Sequence, residues 1–411
     1  MKNKIIIIGL VILTTFLLVL SNLLIKKQVS KNQEVVFWTL QMNDFTPYMV
    51  DIITKFEDEN PGVKIKWIDV PFSEGEKRTL AAILSNNPPS LVNLNPDFSS
   101  ILAQKGALEE ISKEKLKDYN QSLIEAFETN GKIYSIPWYA TSAITIYNKS
   151  LLNKAGFQLP PLTYESMGEY AKDTFEKTGA YIFMPTVTEN DTLLKLLNKY
   201  GIDSPGKLIG QDSIDIFDFY KNLYKQKLIP EESVTQTHRE ALEKYMSENI
   251  VTIQAGANFL NLIKENAPTV YEKTDVAPQI TGKLGQYDFS MMNFVIPKKA
   301  KNKEIALKFA LYLTNEENQL ELAKLTNVLA TNEKALKNEY YQTFEENDLL
   351  AKARVLSAQQ LYKIKPVIKT QNSQKEVNTV LNTAIQMIML DNVDTKKVLE
   401  SASKKWSKLN D

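Results

Sequence analysis

The sequence contains no cysteine, which removes disulfides, thiolate metal sites, iron–sulfur clusters, cysteine nucleophiles and the lipid-acceptor cysteine of a bacterial lipoprotein. It has one histidine, His238, so any Ser-His-Asp chemistry would have to run through it. That residue lies in the charged stretch Thr237-His238-Arg239-Glu240, which reads as a solvated, exposed helix start. Neither sign of charge is in excess. The 49 basic residues balance 49 acidic ones, so the positive field that favours nucleic-acid binding is missing and no nucleic-acid partner is expected. Gly/Ser, Pro and Gln tracts and internal repeats are also missing, and 43% hydrophobic with 24% charged residues is the composition of an ordered globular protein. The patterns GxSxG, HExxH, Walker A and GxGxxG do not occur. Glu109-Glu110, or Asp212 with Asp215, could in principle do glycosidase work, which needs two carboxylates about 5 to 9.5 Å apart, but adjacent surface acids are far commoner. No catalytic set, no metal site and no cofactor are expected.

What is present begins with a long apolar run. Lys2 and Lys4 precede an uncharged stretch of 21 residues, Ile5 to Ile25, and Lys26, Lys27 and Lys31 follow it. A helix of about 20 residues spans a hydrocarbon core of about 30 Å. A cleaved secretory signal has a shorter apolar stretch and then a small-x-small site, and no such triplet follows here. The run is therefore expected to be an uncleaved signal anchor, a transmembrane helix holding the rest of the chain outside the cytoplasm.

At 411 residues the chain exceeds the roughly 250 to 300 at which a single core stops growing, so two lobes are expected. Glu34 to Leu40 reads as a buried strand, and Met49, Val50, Ile53 and Phe56 then recur at helical spacing until Asn60-Pro61-Gly62. Val63, Ile65 and Trp67 alternate with lysines in a second strand, Ser73 with Glu76 reads as a capping box, and Leu91 to Asn95 is a third strand before a helix that stops at Gly106. Such alternation implies βαβ units on a largely parallel sheet. Asn130-Gly131 is a turn signal, with strands expected at Lys132 to Pro137 and Ala143 to Tyr147. The pattern then restarts, with helices closed by Gly156 and Gly201, a helix from Tyr164 to Lys177 and strands at Tyr181 to Met184, Ile250 to Gln254 and Asn293 to Ile296. After Lys303 the chain is almost wholly helical. Lysines 396, 397, 404, 405 and 408 form the wet face of a terminal helix whose other face carries Val398, Leu399, Trp406 and Leu409.

The order of these segments resembles the extracellular solute-binding proteins of ATP-driven importers, the group that includes maltose-binding protein. The likeness runs through Phe37-Trp38, Phe56-Glu57 with Asn60-Pro61-Gly62-Val63, Lys105-Gly106-Ala107-Leu108 and Gly131 to Trp138. It continues at Tyr147-Asn148-Lys149, Ala155-Gly156, Gly256 and Ile296-Pro297-Lys298 with Asn302-Lys303, Ala306 and Phe309. The resemblance implies an α/β, two-lobe periplasmic-binding-protein-like fold with a helical C-terminal part, a solute held in a cleft, and lobes that close on it. Mapped onto this chain, residues 1–33 are anchor and linker, lobe 1 is 34–139 plus 281–330, and lobe 2 is 140–280 plus 331–411. The implied partners are a sugar-like solute and a permease with a cytoplasmic ATPase, met as a monomer. Two departures stand out. Relatives place a Trp two positions after the cleft glycine, where this chain has Gly256-Ala257-Asn258, and the lipid-bearing Cys is absent.

Sugars present apolar ring faces and a belt of hydroxyls, so their sites need aromatic rings beside Asp, Asn, Gln or Arg. In α/β sheets such groups sit beyond the carboxyl ends of strands. That selects Trp38, Gln41 and Asp44 after the first strand, with Asn43 alongside, and Asn95 and Asp97 after the third. Trp138 and Tyr139 can offer a ring at the first expected crossing between lobes, and Gly256 with Asn258 opens a helix after a strand. Met184 and Glu189 are weaker candidates. For each a structural role competes: core packing for the tryptophans, helix capping for Asp44 and Asp97. Tyr340-Tyr341, a pairing that some iron-binding relatives use as ligands, has no matching neighbourhood here and reads as a surface pair. The other readings are an amino-acid, peptide or polyamine receptor and a carbohydrate-active enzyme.

Overall fold

The computed structural model describes residues 33–126, 128–189, 191–361 and 374–410. The expected anchor, residues 5–25, lies outside them. Among the described residues no helix is long and apolar enough to cross a membrane. Ten strands occur among them: β1 (Gln33–Leu40), β2 (Val63–Val70), β3 (Leu91–Leu94), β4 (Glu128–Thr129), β5 (Lys132–Ile133), β6 (Ser135–Asn148), β7 (Thr252–Gly256), β8 (Thr274–Ala277), β9 (Phe289–Val295) and β10 (Leu329–Ala330).

The described residues divide into two compact units: those within 33–94, 106–109 and 294–313 form one, and those within 95–105, 110–293 and 314–410 the other. The first unit is a βαβ layer. β1 pairs in parallel with β2 from Gln33↔Val63 to Leu40↔Val70, and with β3 at Phe37↔Leu91 and Trp38↔Val92. Side chains on alternate residues of β1 enter the core, and there the Phe37 ring meets Phe294 at 5.6 Å and Phe309 at 5.3 Å, while Phe56 meets Phe309 at 4.8 Å. The helix Thr46–Glu59 ends as expected at Asn60, whose side chain donates to the Phe56 carbonyl at 2.7 Å. Ser73, expected to open a capping box, lies inside the helix and is not its N-cap. The helix begins at Phe72 with Pro71 at its N-cap and no side-chain cap, because the proline's fixed φ leads the chain directly into the first turn.

In the second unit the pairings are antiparallel. Its axis is β6, a single strand of 14 residues where two short strands were expected. β7 pairs with it from Ala143↔Gly256 to Tyr147↔Thr252, β8 from Thr145↔Ala277 to Asn148↔Thr274, and β10 at Ala140↔Leu329 and Tyr139↔Ala330. Tyr181 to Met184 is not a strand: it makes one bridge, Tyr181↔Ile250, and receives bonds from the Val251 and Thr252 amides. Helices pack around this sheet, and in the terminal helix Thr395–Asn410 Leu399 and Trp406 are buried while the five lysines are exposed.

Candidate ligand-binding site

In the first unit, Trp38 is half-buried on β1 and Gln41 follows the strand, exposed, at φ 55. Asp69 organises this strand end: its carboxylate accepts from the Thr39 hydroxyl at 2.6 Å, from the Met42 amide at 2.9 Å and from the Asn43 amide at 3.1 Å. The loop bearing Gln41 is thus held by an acid that the sequence reading did not single out. Asp44 lies in the 3-10 turn Asn43–Phe45, and its side chain falls outside the described residues.

The other candidates lie in the second unit. Asn95 is the N-cap of the helix Pro96–Gln104, its Oδ1 accepting from the Phe98 amide at 2.8 Å. Asn95→Ala should therefore cost about 0.5–2 kcal/mol of stability, measured by chemical denaturation. Asp97, two residues on, is exposed. Its charge is felt at Lys195. Burial works to lower the Lys195 ammonium, but the Asp191 carboxylate at 3.1 Å, with smaller contributions from Asp288 and Asp97, holds it above the ordinary lysine value.

Asp288 also pairs with Lys199, whose side chain is only 2% exposed. The Lys199 ammonium lies 2.8 Å from the carboxylate, donates to the Ile280 carbonyl at 2.9 Å and sits 5.6 Å over the Tyr164 ring. A buried amide relay continues from there. The Asp288 amide donates to Gln279 Oε1 at 2.6 Å, the Gln279 amide to Gln360 Oε1 at 2.7 Å, and Gln360 Nε2 to Ser142 Oγ at 2.9 Å and the Ala143 carbonyl at 2.8 Å. Asp191, Lys195, Lys199 and Asp288 were not foreseen. Only the i, i+4 spacing of Asp191 and Lys195 was legible; Lys199 and Asp288 are far apart in sequence.

On β6 the residues 139, 141 and 143 alternate with buried neighbours, so Tyr139, Thr141 and Ala143 line one half-open face. Tyr139 stays protonated, since burial pushes its phenol up to about 12. Trp138 points the other way: its ring is fully buried, edge-on to Tyr139 at 5.1 Å, so it presents no face to solvent. Gly256 pairs with Ala143, and a Cβ there would collide with Asn258 Oδ1. The glycine therefore makes room for the exposed Asn258 side chain. Met184 is buried, and Glu189 accepts from the His238 amide at 2.7 Å.

His238 is half-buried, not exposed as expected. Its ring packs edge-on against Phe259 at 5.3 Å, and burial, opposed by Glu189, lowers its pKa. Tyr341 is no surface residue either. It is buried, with its hydroxyl accepting from the Ala330 amide at 2.9 Å and donating to the Val328 carbonyl at 3.0 Å, while Tyr340 stacks under Arg354 at 3.8 Å. Among the described residues no group of three or more His, Asp or Glu could hold a metal ion.

The family profile of the bacterial extracellular solute-binding proteins matches residues 51–348. The chain belongs to this family. It is a family of solute receptors rather than enzymes, and it places the protein outside the cytoplasm. The chain is 22% identical over 344 residues to the arabinooligosaccharide-binding protein of Halalkalibacterium halodurans, a match covering 76% of each. A crystal structure of a candidate oligosaccharide periplasmic-binding protein from a Synechococcus species is similar at 29% identity and a TM-score of 0.82, covering 91% of this chain and 98% of that one. The maltose-binding periplasmic protein of Listeria monocytogenes, solved with maltose, has the same fold at 20% identity and a TM-score of 0.75, covering 92% and 98%. The solute-binding protein is thus a mixed α/β, helix-rich, periplasmic-binding-protein-like molecule, as its segment order indicates.

Proposed function

We propose that this solute-binding protein is the receptor of an ATP-driven importer and that its solute is a carbohydrate or a related polyhydroxylated molecule. The observation that carries the solute class is the presence, in one unit, of an exposed carboxylate at a helix start, Asp97, and of the half-open Tyr139 face of β6. A carboxylate accepts hydroxyl bonds and a tyrosine ring covers an apolar sugar face. The ligands of the relatives, an arabinooligosaccharide and maltose, support the same class.

The proposed contact residues are Trp38, Gln41, Asp44, Asn95, Asp97, Tyr139 and Asn258. Trp138 and Gly256 would act by position, the first bracing the Tyr139 ring and the second clearing space for Asn258. The lobes expected from the sequence, 34–139 plus 281–330 and 140–280 plus 331–411, are proposed as the parts that close on the solute. The receptor works as a monomer, is tethered by residues 5–25, and delivers to a permease with a cytoplasmic ATPase.

A thermal-shift screen tests this. A cognate sugar at 100 times its dissociation constant should add about 2.7 kcal/mol, and Asp97→Ala should abolish the shift while leaving the unliganded midpoint within about 1 °C, as for an exposed residue. Shifts with amino acids or peptides, and with no sugar, would sink the solute class. A mature N-terminus near residue 30, read by mass spectrometry, would remove the tether and leave the receptor.

A further inference from the structure

A cavity of about 660 Å³ opens in the second unit between the starts of the helices Tyr164–Thr178 and Gln211–Lys225. None of its lining residues belongs to the candidate solute site. Its size falls within the range of small-molecule pockets. Four rings, Tyr164, Tyr200, Phe219 and Tyr220, form its walls. Gly282 completes one of them, because a Cβ there would lie 2.6 Å from the Tyr200 ring, so the absence of a side chain lets the ring lie against the backbone.

The charged groups of this cavity are Glu165, Asp212, Asp215 and Lys283. Three carboxylates face one ammonium, and that ammonium is already held by Asp212 at 3.2 Å. Glu165 accepts from the Tyr200 hydroxyl at 2.7 Å and Asp215 from Gln211 Nε2 at 2.7 Å, bonds that add no positive charge. The rim of the cavity therefore carries two exposed carboxylates, Glu165 and Asp215, that take part in no ion pair among the described residues, beside aromatic faces. Such faces attract cations and cover methylene chains. The Tyr164 ring already takes one ammonium, that of Lys199. A neutral polyol can donate its hydroxyls to these carboxylates, but it leaves both charges unmatched. An aliphatic diamine brings donors only, two charges to match, and a methylene stem for the rings.

We propose that this cavity is a second, accessory site for an aliphatic diamine or polyamine, separate from the proposed carbohydrate site. The test is calorimetric titration of the full chain in detergent with putrescine and with spermidine, and with 1,4-butanediol as the neutral counterpart. Both amines should bind and the diol should not. Glu165→Gln and Asp215→Asn, both at the rim of the cavity, should each weaken amine binding several-fold and together at least tenfold, with the unliganded melting midpoint and any sugar-induced shift unchanged. Absence of heat from both amines, equal heat from the diol, or amine binding indifferent to both variants would overturn the site. Amine binding abolished by Asp97→Ala would move the amine to the proposed solute site and overturn it equally. Failure to bind any sugar would count only against the carbohydrate reading.

Discussion

Phe309→Ala is expected to lower the stability of the first unit by about 3–5 kcal/mol, the usual cost of deleting a buried aromatic ring. Phe309 is fully buried and joins two rings that come from different elements, Phe37 on β1 and Phe56 on the helix Thr46–Glu59. Truncating it empties the place where strand and helix meet, and neither neighbour can collapse into the gap without leaving its own element. Phe309→Leu retains most of the volume and should cost less than half as much. Urea denaturation followed by tryptophan fluorescence would show both effects. Equal losses for Ala and Leu would mean that ring contacts, not filled volume, hold this core.

Asp288→Ala should be comparably damaging to the second unit, for an electrostatic reason. The Lys199 side chain is 2% exposed and Asp288 is 24% exposed, with 2.8 Å between their charges. Removing the carboxylate leaves an ammonium inside the protein with only the Ile280 carbonyl and the Tyr164 ring for company. Breaking a buried pair from one side costs about 3–5 kcal/mol, whereas replacing both partners by uncharged groups of similar volume is often close to neutral. The double variant Lys199→Met with Asp288→Asn should thus recover most of the loss. A single variant that unfolds within about 1 kcal/mol of the parent would show, on that same scale, that the pair is solvated in solution.

Much of the fold was written in local signals. Asn130 and Gly131 take φ 53 and 79, as a two-residue hairpin turn requires, and join β4 to β5. Gly156 closes its helix at φ 100. These are properties of a few neighbouring residues, and sequence carries them directly. The errors arose where a distant partner decides. Residues 138–142 fell between two expected strands, yet they continue β6, and Ser142 is buried with Gln360, far along the chain, supplying its hydrogen bond. The restart of an alternating pattern after Asn148 gave no pairing direction, because direction depends on which strands meet, and β7, β8 and β10 all meet β6 antiparallel.

The candidate site divides in the same way. Residue types at strand ends pointed to Asp97, Tyr139 and Asn258, which the structure leaves exposed or half-open. Trp138 was chosen by the same reasoning and is buried, because strand alternation sends it to the opposite face from Tyr139. The lysine–aspartate cluster around Asp288 carried no motif at all. It exists because the segment 278–288 returns beside the helix Thr192–Asn198, a proximity that only the folded chain creates.

The length of β6 has a consequence for how the molecule is made. Its Tyr139 and Ala140 pair along one edge with Ala330 and Leu329, so that edge stays uncovered until most of the polypeptide is available. Pairings so far apart in sequence form slowly. Any product that ends before Leu329, whether a stalled chain or a proteolytic fragment, carries a bare strand edge at Tyr139-Ala140 and is open to pairing with a second such fragment. The two-residue strand Leu329–Ala330 is thus what covers that edge of β6.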